Sequence, residues 1–311
     1  MRTASIDIGT NTIRILICEQ TEKGSLKELY INRVITRLGE GFSDDKRLLI
    51  SSAVNRSVST LCDFSKVIKE YNVNKIRAVA TSVIRESRNG SEFVKHVADK
   101  AGLAVEVISG EEEAELTVLG VLNSVSVNTN DCIIFDIGGG STEYVYIHNS
   151  NIVKLTSSNL GVVHLTEEFL RKELETKEEL AQLSLHIHET LQRELENFRI
   201  IDKKDLILVG TAGTSTTLAA IELKLEKYNP EFVNNFILTK AMVLSTIKKL
   251  IKIPKKDRPN VIGLEKGRED ILIAGALILI ETLKKFSIDE VIVSDGGVLE
   301  GIAYSQFDKN L

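Results

Sequence analysis

The chain has 311 residues, 43% of them hydrophobic, and a mean hydropathy of +0.02, as expected of a globular protein with room for about two domains. A net charge of −5, an aromatic content of 5% and no tryptophan exclude bulk positive charge or base stacking as a way to bind nucleic acid. The longest apolar run, residues 271–280, is too short to span a bilayer, so we predict no membrane partner. Three cysteines without metal-ligand spacing, Cys18, Cys62 and Cys132, predict reduced core thiols in a cytoplasmic protein.

Strands alternate with helices along the chain, which predicts an α/β protein with mixed sheets flanked by helices. In the first half, strands are predicted at residues 3–8, 12–19, 29–36, 76–80 and 104–108, and helices at 51–71, 91–101 (with Ser91 as the N-cap) and from 109 onward. The polar stretch 123–131 is predicted to join the two halves. In the second half, strands are predicted within 132–157 and at 206–209 and 291–294, and helices at 166–171, 177–198, 214–225, 241–251, 269–286 and from 298 to about 306.

The stretch from residue 131 to 146, DCIIFDIGGGSTEYVY, predicts a strand, a tight glycine turn and a second strand. Glycines 138–140 allow backbone N–H groups to approach an anion closely, and two hydroxyl residues follow them. Asp136 and Glu143 lie on either side of this turn, an arrangement that suits hydrated Mg²⁺ next to a phosphate. The alternative interpretation is a plain hairpin turn with solvated carboxylates.

A second copy of this pattern lies near the N-terminus, where residues 5–17 read SIDIGTNTIRILI. Aligned without a gap, Asp7 falls on Asp136 and Arg14 falls on Glu143. Two such turns from duplicated halves, facing each other across a cleft, would form one polyanion site with a metal between them. Arg14 lies between two apolar residues of its strand, so it needs an anion as a partner.

Two charged runs have alternative interpretations. Four acidic residues, Glu111, Glu112, Glu113 and Glu115, begin a predicted helix, where they would complement the helix macrodipole. A basic run follows later in the chain, comprising Lys252, Lys255, Lys256 and Arg258. It would either extend a track for a polyanion or, as is more common for such runs, form a solvated connector.

Seven segments together resemble the exopolyphosphatase and guanosine pentaphosphate phosphatase (Ppx/GppA) family, within the superfamily of sugar kinases, actin and chaperone ATPases. They occur in family order and cover nearly the whole chain: DIGTNTIRILI, ATSVIRESRNGSEF, VISGEEEAEL, DIGGGSTEYV, GTAGTSTTLAA, GREDILIAGA and SDGGVLEGIA. The resemblance implies the short form with two actin-like (ribonuclease H-like) domains and an active site in the interdomain cleft. The expected domains are residues 1–122, with the closing helix 298–311 packed back on them, and residues 123–297.

The resemblance also implies removal of the terminal phosphate from inorganic polyphosphate, from guanosine pentaphosphate or from both, with Mg²⁺ (or Mn²⁺) as cofactor and a homodimer as the assembly. It implies that Glu113 is the general base and that Arg14 and Arg85 are its catalytic partners. Asp136 and Glu143 are the expected metal ligands, with Asp7 acting through water or serving as a structural carboxylate. The expected phosphate-binding residues are Thr10, Asn11, Thr12, Gly138, Gly139, Gly140, Ser141, Thr142, Gly210, Gly213 and Arg268.

Two other functions stay open at this point. A kinase of the same fold would transfer phosphate to an acceptor, although the SGEEEA segment at residues 109–114, which resembles the segment that activates water, argues against it. A regulatory protein would bind polyphosphate or an alarmone with little turnover, although Asp7, Glu113, Asp136 and Glu143 are all present.

Overall fold

The fold was analysed in a computed structural model, which describes residues 1–21, 26–42, 46–126, 130–201 and 206–307. The chain divides into two compact units: unit 1 is Met1–Gly120 with Gly297–Leu311, and unit 2 is Val121–Gly296. Residues 308–311, which the sequence analysis included with the closing helix, lie outside the described residues. Each unit has its own sheet and its own hydrophobic core.

The helices and strands follow the predicted order closely. The first half contains β1 (Arg2–Ile8), β2 (Thr12–Gln20), β3 (Leu26–Ile35), α1 (Ser51–Glu70), β4 (Lys75–Ala80), α2 (Ser82–Glu86), α3 (Gly90–Ala101), β5 (Val105–Val107) and α4 (Gly110–Leu122). The second half contains β6 (Cys132–Ile137), β7 (Thr142–His148), β8 (Asn151–Ser158), α5 (Val162–Phe169), α6 (Lys177–Glu194), β9 (Ile207–Thr211), α7 (Ala212–Glu222), α8 (Pro230–Val233), β10 (Ile237–Thr239), α9 (Lys240–Leu250), α10 (Leu272–Phe286), β11 (Glu290–Val293) and α11 (Val298–Ser305).

The sheet of unit 1 has the strand order β3-β2-β1-β4-β5. Its first three strands form an antiparallel meander, whereas β4 and β5 continue the sheet parallel to β1. The strands are short apolar runs rich in isoleucine and valine, which suit a pleated surface covered by helices. This mixed sheet is the one that the sequence predicts.

The sheet of unit 2 repeats the same plan with one more strand, in the order β10-β11-β9-β6-β7-β8. Strands β6, β7 and β8 form the antiparallel meander, and β9 and β11 are parallel to β6. The edge strand β10 pairs antiparallel with β11 and was not predicted, because its three residues are too short for a periodic signal.

Several helices begin at other residues than the sequence predicts, and the short helices α2 and α8 were not predicted. Helix α5 begins at Val162 and not at residue 166, although a pair of β-branched valines is a weak helix start. Helix α3 begins at Gly90, so Ser91 is not its N-cap. The flanking Asn89 instead binds Leu49 with its side-chain amide, through bonds of 2.9 and 3.0 Å to the backbone N–H and carbonyl.

The apolar run in α10 is buried on every side, as its composition predicts. Among the described residues, no helix combines the length and the apolarity needed to cross a bilayer. The three cysteines are free thiols, and Cys18 and Cys132 are buried in the cores, whereas Cys62 is partly exposed. Burial, with a smaller contribution from neighbouring Asp131, raises the pKa of the Cys132 thiol to about 12.

Candidate active site

The first phosphate turn of the sequence analysis joins β1 to β2 in unit 1. The N–H of Gly9 donates to the carbonyl of Thr12 over 3.0 Å and closes the turn. The ladder places Asp7 directly opposite Arg14. The carboxylate of Asp7 accepts hydrogen bonds from Nε and Nη2 of Arg14 at 3.0 and 2.6 Å. Asp7 thus supplies the anion that the sequence predicts for Arg14, and the two residues form a partly buried ion pair.

The hydroxyl residues of this turn lie close to unit 1 segments from elsewhere in the chain. Thr10 Oγ1 is 3.3 Å from Oγ of Ser82, the first residue of α2. The side-chain amide of Asn11 is 3.5 Å from the hydroxyl of Thr12. Thr10 and Asn11 are buried and Thr12 is partly exposed, so the turn presents both backbone and hydroxyl groups on a largely enclosed surface.

Glu113 is the one buried member of the four acidic residues at the start of α4, with 8% of its surface exposed. Its carboxylate Oε2 accepts a hydrogen bond from Nη1 of Arg85 at 3.2 Å, and the same nitrogen donates to the carbonyl of Ile108 at 2.9 Å. Burying a carboxylate costs free energy unless it is paired, and Arg85 supplies that pairing. The structure therefore brings together two residues to which the resemblance gives catalytic roles.

The neighbouring Glu112 does more than complement the helix dipole. Its carboxylate binds Nη2 of Arg77 at 2.5 Å, and Nη1 of the same arginine donates to Ser305 at 3.0 Å. The backbone N–H of Glu112 is capped by the Ser109 hydroxyl at 3.1 Å. Arg77 thus ties the first turn of α4 to β4 and α11, a contact that the sequence pattern did not reveal.

The second turn joins β6 to β7 in unit 2 and closes like the first, with the N–H of Gly138 donating to the carbonyl of Ser141 over 2.9 Å. Asp136 lies opposite Glu143 in the ladder, the position that Asp7 and Arg14 occupy in unit 1. Both carboxylates are buried, with 7% and 2% of the residue surface exposed. Oε1 of Glu143 accepts a hydrogen bond from the Ser157 hydroxyl at 2.8 Å.

These two carboxylates fit a divalent cation. Directly opposite residues of an antiparallel pair share one face of the sheet, so the two carboxylates stand on the same face in a buried place. Unit 1 has an arginine at the corresponding position, whereas unit 2 has a second acid. Mg²⁺ is commonly held by one or two carboxylates together with water and phosphate oxygens. Within the described ranges, no group of three or more His, Cys, Asp and Glu side chains is placed to bind a metal.

The third glycine segment, predicted as a turn, instead spans the end of β9 and the start of α7, with Gly210 in the strand and Gly213 in the helix. A Cβ atom on Gly213 would lie 2.0 Å from Nη1 of Arg268, so the guanidinium rests directly on this glycine. Nε of Arg268 donates to Glu265 at 2.7 Å. A Cβ atom on Gly210 would lie 3.0 Å from the ring of Phe135, so close packing against this ring also favours glycine at position 210. This segment and Arg268 are thus brought together within unit 2.

The basic run at residues 252–258 contains one residue that fits neither interpretation from the sequence. Arg258 is completely buried, and its guanidinium binds both carboxylate oxygens of Glu175, with Nη1 at 2.9 Å from Oε1. It lies in a 3-10 turn, Lys255–Asn260, and not in a solvated connector. Lys252 and Lys256 are exposed. Arg258 is therefore a core residue, and a polyanion track could involve only the exposed lysines.

The predicted site residues form two groups, one in each unit. Unit 1 contains Asp7, Thr10, Asn11, Thr12, Arg14, Arg85 and Glu113, and unit 2 contains Asp136, Gly138, Gly139, Gly140, Ser141, Thr142, Glu143, Gly210, Gly213 and Arg268. Four residues that hold these groups in place were not predicted from the sequence: Arg77, Ser82, Ser157 and Glu265. All of them but Glu265 are distant in sequence from their partners, and an isolated sequence carries no signal for such pairing.

Comparison with known proteins gives one consistent result. A profile of the Ppx/GppA phosphatase family matches residues 16–310. The chain is 31% identical over 316 residues to exopolyphosphatase 2 of Mycobacterium tuberculosis, covering 98% of each chain. It is 35% identical over 314 residues to a bifunctional 3-dehydroquinate synthase/phosphatase of Fusobacterium nucleatum, covering 96% of this chain but 46% of that protein. The chain thus spans about half the length of this relative.

A solved structure extends the similarity to the fold. The crystal structure of the Aquifex aeolicus member of the Ppx/GppA protein family superposes with a TM-score of 0.80 at 32% identity, covering 98% of this chain and 97% of that one. The expected fold of this family, with two mixed sheets flanked by helices, is therefore confirmed.

Proposed function

The chain belongs to the Ppx/GppA phosphatase family, and from this membership we propose that it hydrolyses the terminal phosphate of inorganic polyphosphate, of guanosine pentaphosphate or of both. The family makes it a phosphoric anhydride hydrolase, and similarity to an exopolyphosphatase over 98% of both chains supports polyphosphate as a substrate. The single observation that carries the mechanism is the buried Glu113, bound to Arg85 at the start of α4.

In the proposed reaction, backbone N–H groups of the two turns bind oxygens of the substrate phosphates. Amides in glycine turns are suited to this because they bring fixed partial positive charge close to an anion without moving during the reaction. The hydroxyl groups of Thr12 and Ser141, which occupy corresponding positions, would add further donors. Arg268, lying on Gly213, would contact the remainder of the chain of phosphates.

Asp136 and Glu143 are the proposed ligands of Mg²⁺, and Ser157 orients Glu143 through its hydroxyl. The ion would neutralise negative charge on the phosphate oxygens when it is bound. Asp7, which accepts two hydrogen bonds from Arg14, has the supporting role of holding that arginine on its strand.

Glu113 is the proposed general base. It would accept a proton from a water molecule as the water oxygen bonds to the terminal phosphorus, and the bond from phosphorus to the bridging oxygen would break. The electron pair of that bond leaves on the shortened polyphosphate, so the products are orthophosphate and a chain one unit shorter. Arg85 fixes the direction of the Glu113 carboxylate, since its Nη1 is anchored on the carbonyl of Ile108.

The test measures phosphate release with Mg²⁺ from long polyphosphate and from guanosine pentaphosphate, for the wild type, Glu113→Gln and Glu111→Gln. We expect Glu113→Gln to lower kcat by about 10²-fold or more, because general base catalysis typically contributes that much. Glu111 belongs to the same helix turn but is exposed, so Glu111→Gln should keep wild-type activity and serves as the matched control.

Other outcomes would contradict the proposal. Phosphate transfer from ATP to an acceptor, without free phosphate, would identify a kinase. Tight binding of either compound with negligible turnover would identify a regulatory protein. Equal activity of the two glutamine variants would leave hydrolysis intact but exclude Glu113 as the base.

A further inference from the structure

The duplication extends beyond the two turns to the segment that follows each meander. After β3 the chain reads Leu38-Gly39, and after β8 it reads Leu160-Gly161, with both leucines completely buried. We call residues 36–39 and 160–163 the backing segments of the first and the second turn. Each lies within the unit that contains its turn.

In unit 1 the backing segment binds the carbonyl groups of the turn. The N–H of Gly39 donates to the carbonyl of Thr10 at 2.8 Å, and the N–H of Thr36 donates to the carbonyl of Asn11 at 3.1 Å. A Cβ atom on Gly39 would lie 2.3 Å from the Thr10 methyl group, so only glycine allows this approach.

In unit 2 the backing segment also binds carbonyl groups of its turn, and the donors are the first N–H groups of α5. The N–H groups of Val162 and Val163 donate to the carbonyls of Gly138 and Gly139 at 3.1 and 2.9 Å. The first N–H groups of a helix have no partner inside the helix, and here the turn supplies partners. A Cβ atom on Gly161 would lie 2.2 Å from the carbonyl carbon of Gly140, so a side chain would push the segment off the turn.

These hydrogen bonds to the turn carbonyls also fix the direction of the N–H groups that follow those carbonyls in the turn. In a planar trans peptide the carbonyl of one residue and the N–H of the next point in opposite directions. Because the carbonyls of Gly138 and Gly139 point at α5, the N–H groups of Gly139 and Gly140 point away from it. The same reasoning applies in unit 1, where the Thr10 carbonyl points at Gly39 and the N–H of Asn11 points the other way.

We propose that the backing segments are positioning elements, which aim the amides of the turns at the substrate phosphates, and that Gly39 and Gly161 are the positioning residues. A turn of three glycines has many accessible backbone conformations, and without fixed carbonyls its peptide planes would rotate between two directions. In unit 2 the positive end of the α5 dipole also lies behind the turn. This inference rests on the proposed function in one respect, namely that the turns bind phosphate.

The sharpest test removes one donor and keeps the helix. Val162 is the first residue of α5, a position where proline is well tolerated, and Gly161 before it has the extended conformation (φ −100°, ψ 131°) that proline requires of its predecessor. Val162→Pro therefore deletes the N–H that binds Gly138. Lys177→Pro is the matched control, because Lys177 is the first residue of the neighbouring α6 and its N–H does not contact the turn.

The readout is the amide resonance of each turn glycine in protein labelled with ¹⁵N-glycine, which contains 20 glycines. Inorganic tripolyphosphate with Mg²⁺ is the probe, added to the Glu113→Gln background to prevent its hydrolysis. We expect the Gly139 and Gly140 resonances to shift on addition. In Val162→Pro the Gly139 shift should shrink and tripolyphosphate should bind about tenfold more weakly, the effect of losing about 1.4 kcal/mol. Lys177→Pro should behave like its parent.

Gly161→Ala provides a second, steric test with its own control. Gly263→Ala introduces a clash of similar size in the same unit, since its Cβ atom would lie 2.3 Å from the carbonyl oxygen of Ala220. The φ of +86° at Gly263 adds backbone strain, so this control disturbs the fold at least as much. We expect Gly161→Ala to weaken tripolyphosphate binding more than Gly263→Ala does, even where both lower the melting temperature equally.

The inference is overturned if Gly139 and Gly140 do not shift with tripolyphosphate, or if Val162→Pro keeps the shifts and the affinity of its parent. If the wild type still releases phosphate, these results would refute the inference but not the proposed function. Absence of phosphate release from the wild type would refute the proposed function instead, and the two amide shifts would still decide the inference.

Discussion

The buried ion pair between Arg258 and Glu175 gives the strongest stability prediction. Both side chains are fully buried, and Arg258 also donates to the backbone carbonyls of Ile253 and Glu269, both at 3.0 Å. The guanidinium thus ties together the end of α9, the segment before α6 and the residue that follows Arg268. Glu175→Gln would leave this buried cation without a countercharge.

The expected loss follows from the burial of the pair. Removing one partner of a buried pair costs about 3 to 5 kcal/mol, because the other charge stays in the core uncompensated. With a urea m-value of about 3 kcal/mol per M, the midpoint of unfolding should fall by roughly 1 to 1.7 M. Urea titration followed by circular dichroism measures this. Glu173→Gln is the control, since this residue two positions earlier is exposed and its carboxylate accepts a hydrogen bond from the Lys256 N–H in the same 3-10 turn.

A double variant separates the charge from the packing. Replacing Glu175 and Arg258 together by methionine removes both charges and keeps apolar volume, so it should recover most of the stability that Glu175→Gln loses. A Glu175→Gln protein within about 1 kcal/mol of the wild type would refute the reasoning, because exposed ion pairs contribute no more than that.

Two further predictions concern other charged residues. Arg77→Gln removes the cation that binds Glu112, the residue next to Glu113. The kcat for phosphate release should therefore fall, by up to about 10²-fold if the catalytic group is displaced. An unchanged kcat would show that α4 does not need this anchor. Burial pushes the pKa of Glu281 upward, but hydrogen bonds from Lys284 and Ser184 bring the pKa below its ordinary value of 4.5. A lowered folded pKa stabilises the fold above pH 4.5, and this stabilisation is lost as the pH falls through the folded value. Urea titrations should therefore show Glu281→Gln lowering the free energy of unfolding more at pH 7 than at pH 3, and equal effects at both would contradict this.

The repeated pattern around Asp7 and Asp136 shows how much local sequence determined. A strand, a tight turn and a second strand depend on residues within about ten positions, and the period of two places opposite residues predictably. The sequence alone therefore predicted both turns, both mixed sheets and the alignment of Arg14 with Glu143, and the ladders confirm that these two residues occupy corresponding positions. The burial of α10 on every side was likewise predicted correctly from its apolar composition.

The partners of charged residues were decided only by the tertiary structure. Arg258 was interpreted as part of a basic surface run, and its partner Glu175 lies 83 positions earlier. Glu113 could not be distinguished by periodicity from the glutamates beside it, and it is the burial against Arg85 that singles it out. Gly39 and Gly161 belong to a Leu-Gly pair that the sequence repeats after β3 and after β8. Only the structure shows why glycine is needed there, because each glycine packs against its turn. Local patterns follow from backbone sterics and periodicity, whereas the choice of an ionic or packing partner depends on which distant segments the fold brings together.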